Sequence, residues 1–219
     1  MAGKALAAPR IGRITLPVLE AGDPEGLRPH GRYDGESYTG GDLSGRVLDG
    51  ISFSECELVS IYGHEASLRN ARFLDTRIER FNAPVLTAPG LVLRDAAVEG
   101  SRIGSAEAFS SQWNSVRISG SKLDLLNLRG SVLRDVSFND CVIGELDLSG
   151  AKLTRASFEG TRIDTLVLDQ AVLEHVDLRG AAIRGISGVG FLRGATLSAL
   201  QLEEMAAMLA DHLGIRVEG

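Results

Sequence analysis

Apolar side chains return at every fifth position from Tyr38 to Ile183. The series opens Tyr38, Leu43, Leu48, Phe53, Leu58 and closes Phe158, Ile163, Leu168, Leu173, Leu178, Ile183, never slipping by a residue. Of its 30 positions, 26 carry a large apolar or aromatic side chain, and the others are Gly63, Ala83, Ala88 and Ala108. Roughly 40% of residues are eligible by composition, so chance would supply about half that number; the repeat is real. A period of five is neither the 3.6 of a helix nor the 2 of an ordinary strand. The chain must therefore turn after each short extended piece. Two residues before each centre lies a second inward position, as in Ala151, Ala156, Thr161, Ala171, Val176 and Ala181, and many repeats close on Gly. A unit such as Ala151-Lys152-Leu153-Thr154-Arg155 reads inward, outward, inward, outward, corner.

Segments such as Leu146-Asp147-Leu148-Ser149-Gly150 and Val176-Asp177-Leu178-Arg179-Gly180 resemble the pentapeptide-repeat proteins, whose pattern is a small residue, Asp or Asn, Leu or Phe, then two variable residues. The resemblance covers about two thirds of the chain. It implies an all-β solenoid, a right-handed quadrilateral β-helix with four repeats to a coil.

An independent sign of four-sidedness lies in the second inward position, whose size alternates every ten residues. Val116, Leu126, Val136, Leu146, Leu166, Val176 and Ile186 are bulky, Ala156 excepted, while Ser121, Ser131, Cys141, Ala151, Thr161, Ala171 and Ala181 are small. Two facing walls of a 20-residue square that intrude while the other two retreat would fill a narrow core this way. Leu126, Leu146, Leu166 and Ile186 then stack one per coil, and seven or so coils at about 4.8 Å make a rod of roughly 35 Å. Before residue 100 the bulky set is Ile51, Ile61, Phe81 and Leu91, which is the opposite phase. Either the walls exchange size or a five-residue excursion lies between about 80 and 112, where Pro84 and Pro89 fall. Because Pro cannot donate to a ladder, the expectation is a loop or distorted coil at this seam.

The flanks read differently, giving a division into 1–37 (arm or cap), 38–187 (β-helix) and 188–219 (loop and helix). Pro9, Pro17, Pro24 and Pro29 exclude a helix from the first part, and Ile14, Leu16 and Val18 alternate as a short edge strand would. A blocking element is needed there, because the first coil would otherwise present an open edge. After Ile186, Ser198-Ala199-Leu200-Gln201 forms a capping box, with Leu197 and Leu202 placed as a staple. Leu202, Met205, Ala206, Leu209 and Leu213 share one face, and Gly214 is a stop, predicting a helix from about 199 to 213. Leu202, Met205, Leu209 and Leu213 would cap the open end, make a homodimer contact, or both.

Composition adds exclusions. The 219 residues carry a formal charge of -6, which argues against general affinity for nucleic acid or anionic lipid. Two cysteines are too few for a disulfide framework, Met1–Arg13 lacks the apolar core of a secretory signal, and no segment approaches a membrane span. The expected location is the cytoplasm. His30, His64, His175 and His212 have no metal-ligand spacing, and Cys56 and Cys141 occupy the small inward position as core fillers. No catalytic residues, metal or cofactor are expected, so the chain reads as a non-enzymatic scaffold for a protein partner.

The surface candidates are Phe109, which points outward beside the seam, and a stacked acidic column of Glu55, Asp75 and Asp95 with Glu79 and Glu99 near the same edge. Like charges at β-spacing repel, so such a column calls for a compensating feature or a use. Some members of the resembled family bind DNA gyrase through an acidic rod that imitates DNA and protect it from quinolones, dimerising through a C-terminal helix. That is the alternative reading here. Against it, residues 38–187 hold 20 acids and 16 bases, and Arg69, Arg72, Arg77, Arg80 and Arg94 interleave with the column.

Overall fold

The computed structural model describes residues 5–216. Its body is a parallel β-solenoid of about nine turns. Strand partners are offset by 20 residues: Arg72 faces Val92, Val92 faces Gln112, and Gln112 faces Val132. Two parallel sheets result, one of 12 strands and one of seven. The ladder starts earlier than the apolar series, since Tyr33 already pairs with Phe53. It ends on a shortened coil in which Ala195 pairs with Val176. The rod is thus longer than the seven coils counted from the sequence, at about 4.8 Å for each turn.

The five-residue unit appears as read. Ala151 and Leu153 are buried, Lys152 is exposed, and Arg155 turns the corner at φ 56°. Nearly every residue at a multiple of five from Gly35 to His175 has a left-handed backbone, including Glu55, Arg80 and Arg155, which a β-carbon disfavours. The ladder on both sides holds them there, each coil's amides bonding the next coil's carbonyls, as from Glu55 to Leu74 (3.0 Å) and Arg80 to Glu99 (2.8 Å). The corner column Val85, Ser105, Leu125, Glu145 and Thr165 departs from this and stays extended within the strands of the smaller sheet.

The core is one axial stack. Leu126 sits over Leu146, Leu146 over Leu166, and Leu166 over Ile186. Tyr33, Phe53 and Phe73 stack at 5.5 and 5.2 Å between centroids, and Phe138 lies parallel to Phe158 at 5.1 Å. At Gly63, a β-carbon would come within 2.8 Å of the Phe81 ring, so the wall residue fills the space of the missing central side chain.

The expected loop at the seam is absent. Coils run unbroken through residues 80–115, with Asn82 facing Arg102 and Leu93 facing Trp113. The walls exchange size instead, through a coil whose second inward residues Ala96, Ser101, Ala106 and Ser111 are all small and buried. Both prolines fit because their positions need no ladder donor. Register passes from Ala83 to Val85 without pairing Pro84. At the level of Pro89, equivalent amides bond side chains rather than the next coil: Arg69 to Asp49 (3.2 Å) and Arg129 to Asn127 (3.1 Å). Small side chains leave an apolar void of about 90 Å³ whose walls include Ala88, Ala106, Ala108 and Trp113. The indole nitrogen of Trp113 is buried without a partner.

At the N-terminal end, Leu27 is buried beneath the first coil and the Arg46 guanidinium bonds the carbonyls of Pro24 and Leu27. Ile14–Val18 forms no strand; the segment is extended without a ladder, and Val18 is 98% exposed. At the other end, the predicted single helix is two: α1 (Ala199–Glu204) and α2 (Ala206–His212), broken at Met205. The capping box forms, and Gln201 does further work, its Nε2 donating to the carbonyls of Leu178 (2.7 Å) and Ala181 (2.8 Å). Those are carbonyls that the shortened last coil leaves without a full coil above. Met205 is buried, whereas Leu202 and Leu213 are 52% and 70% exposed. Gly214, at φ 70°, ends α2.

Leu146→Ala should cost about 2–5 kcal/mol by opening a cavity in the dense half of the stack. Ala106→Val, beside the existing void, should raise the melting temperature. Thermal and denaturant unfolding followed by circular dichroism reads both.

Candidate interaction surface

The corner column through Glu55, Asp75 and Asp95 is confirmed by register, since Ser54 faces Leu74 and Leu74 faces Arg94. Glu79 and Glu99 are direct partners on the adjoining wall. Arginines separate these carboxylates. Arg94 lies 3.8 Å from both Asp75 and Asp95, Arg80 reaches Glu79 at 3.2 Å, and Arg77 reaches the neighbouring Glu57 at 3.2 Å. Glu55 is exposed. Phe109, 39% exposed, follows a strand of the smaller sheet, so the structure does not bring it together with the acidic group, which belongs to the larger one.

The same corner continues through Ser115, Asp135, Arg155 and His175, and here the structure shows what the sequence did not. The N-terminal arm runs down it. Leu6 lies beside Leu173–His175, and the Ala7 amide donates to His175 Nδ1 at 3.3 Å. The Arg10 amide donates to Asp135 Oδ1 at 2.8 Å. Gly12–Thr15 lie against Asp75 and Asp95, and Glu20 joins the first coil opposite Glu36. Beneath the arm, Ala97 and Ser137 are only 5% and 6% exposed, and they alternate with Arg77 and Arg117 in one outward column. Burial along the arm alternates, with Pro9, Ile11, Ile14, Leu16 and Leu19 partly buried and Arg10, Arg13, Thr15 and Val18 exposed. The available signal was charge segregation, three bases and no acid in residues 1–19. Of those bases, Lys4 lies outside the described residues.

Asp135 is the best-built group at this corner. Arg155 grips it with two bonds of 2.6 Å, from Nε to Oδ1 and from Nη2 to Oδ2. That guanidinium, and secondarily the Arg10 amide and charge, hold the Asp135 carboxyl below its usual range against the opposing effect of burial. Elsewhere, burial pushes both thiols, Cys56 and Cys141, above the usual value, as expected of core residues. His30, His64, His175 and His212 stay apart, and among the described residues no group of three or more His, Cys, Asp or Glu is placed to share a metal ion. No helix among them is long and apolar enough to cross a membrane.

The family model for pentapeptide repeats matches residues 131–165 and 144–185, in eight copies. The chain has the pentapeptide-repeat fold, and its match to the family lies within residues 131–185. Among solved structures, this chain is similar to a trypsin-treated form of QnrB1, a plasmid-mediated fluoroquinolone resistance protein, at 18% identity over 91% of this chain and 96% of that one, with a TM-score of 0.39. It is also similar to HetL, a pentapeptide repeat protein involved in heterocyst differentiation regulation from the cyanobacterium Nostoc, at 16% identity over 79% and 92%, TM-score 0.37. Comparison with curated proteins finds no significant match.

A depressed carboxyl contributes stability that is present above its unfolded value, near 4, and lost as pH falls through the lower folded value. Asp135→Asn should therefore be less stable than the native chain at pH 7, and the difference should close as pH falls through the lowered folded value of Asp135. Melting curves across pH check this. Both cysteines should resist iodoacetamide in the folded protein and react on denaturation, as counted by mass spectrometry.

Proposed function

We propose that this chain is a non-enzymatic, cytoplasmic scaffold that binds a protein partner along the corner carrying Glu55, Asp75, Asp95 and Asp135. One observation carries the reading: this corner already holds an extended segment across most of the rod, from His175 to the first coil. A long rigid wall of fixed register suits recognition of extended chain, since equivalent side chains recur at each turn. Phe109, on the smaller sheet, is a separate candidate contact.

The acidic stack supports a second reading, a DNA-gyrase-binding DNA mimic giving quinolone protection, with dimerisation through Leu202, Leu209 and Leu213. Direct binding to nucleic acid is not part of either reading. The arginines interleaved with the stack favour the first, because they break the continuous negative stripe that duplex imitation requires.

Two measurements separate them. Purified full-length protein at micromolar concentration should leave gyrase supercoiling unchanged, with or without a quinolone; inhibition or protection would establish the second reading instead. In affinity capture from cell extract, Asp75→Lys/Asp95→Lys should lose the partner that the native chain and Phe109→Ala retain. Loss with Phe109→Ala alone would move the contact to the smaller sheet, and capture indifferent to both would remove the proposal.

A further inference from the structure

The geometry points to a more specific role for this corner: it is a docking track for an extended basic segment of the partner, and residues 5–19 are the cis occupant that the partner must displace. The inference rests on the scaffold reading for the existence of a partner, but not for the track itself.

Charge is the first support. Residues 1–19 hold three bases and no acid, which leaves 20 bases and 29 acids in residues 20–219. The arm and the body are thus oppositely charged: the Arg10 amide bonds Asp135, whose carboxylate Arg155 also pairs, and Arg13 lies beside Asp75 and Asp95. Screening at physiological salt acts over about 8 Å, so these near contacts are the ones that select a basic occupant.

The second support is what the ties read. Among the described residues, the arm's hydrogen bonds to the corner, at His175 and Asp135, use backbone amides of the arm. Any non-proline residue supplies such a donor, so the track recognises extended backbone rather than this arm's own side chains, as sheet edges do when they accept a foreign strand. Specificity comes from the floor. Ala97 leaves a shallow recess between Arg77 and Arg117 that accepts aliphatic side chains such as Ile11 and Ile14, while Arg10 and Arg13 stay exposed on the outer side of the arm.

The third support is how lightly the arm is held. Residues 5–19 form no ladder with the wall, although Glu20 and Ala21, immediately after, pair in register with Glu36 and Ser37. The hinge is thus defined, and release of the arm breaks no strand pairing. A tethered occupant of this kind lowers a competitor's apparent affinity through its high local concentration, which makes the arm a threshold for partner binding.

The test uses full-length protein and no partner. The probe is a fluorescent peptide with the sequence of residues 5–19. Its receptors are the native chain and Ala7→Pro/Arg10→Pro, which removes both amide donors from the tethered arm while leaving the coils untouched. The peptide should bind the double variant at least tenfold more tightly than the native chain. Adding His175→Phe to the double variant should weaken that binding again, with unchanged circular dichroism showing that the rod is intact. Equal binding to the native chain and the double variant, no binding to either, or migration of the native chain as an arm-exchanged dimer would overturn the proposal. If the peptide behaves as expected while capture finds no partner, the track stands and the scaffold reading falls. If capture succeeds and the peptide fails, only this inference is lost.

Discussion

Every feature of this molecule follows from one constraint: the parallel ladder closes a coil every 20 residues, so each inward side chain must share its cross-section with three others and stack on its own kind above and below. A cross-section this small cannot hold four large wall residues at once. Bulky walls face each other across the axis and small walls occupy the remaining sides, as with Val136 and Leu146 against Ser131 and Cys141. The constraint concerns volume and not identity of the side, so the bulky pair can change sides along the rod. It does so through a coil in which all four wall residues are small. The void beside Trp113 is the packing cost of that exchange.

The ladder also explains why left-handed corners tolerate Glu, Arg and His. Each corner is fixed by hydrogen bonds to coils on both sides, and the strain is distributed over a cooperative stack. Ends lack that support and are built differently. Leu27 and Arg46 close the first coil, while Gln201 hands its side-chain amide to the carbonyls of the last. In both places a side chain takes over the bonding that another coil would have provided.

On the outside, regular stacking turns chemistry at one position into a column, and a column of carboxylates is unfavourable unless something answers it. Two answers operate together. Arginines from the wall lie between neighbours, as Arg94 does between Asp75 and Asp95. The arm then lies over the same corner, bringing Arg10 and Arg13. The same corner that stacks charge thus also offers Asp135 and His175 as acceptors for the arm's backbone amides.

Local rules sufficed for the five-residue unit, its corner glycines, the capping box at Ser198 and Gln201, the stop at Gly214 and the stacking of Leu126 through Ile186, because each depends on neighbours at fixed offsets. The acidic column was legible for the same reason. Pro84 and Pro89 misled because a proline is harmful only where its amide would have bonded, and which amides the ladder uses depends on corner geometry between coils. The helix breaks at Met205, whose side chain is buried, and helical periodicity does not contain that break. Above all, residues 1–19 carry three bases and no acid, but no repeat in the sequence links them to the corner that holds Asp75, Asp95 and Asp135. Only the folded rod brings residue 10 to residue 135, since residues 5–19 form no ladder and the bond joins positions 125 residues apart in the chain.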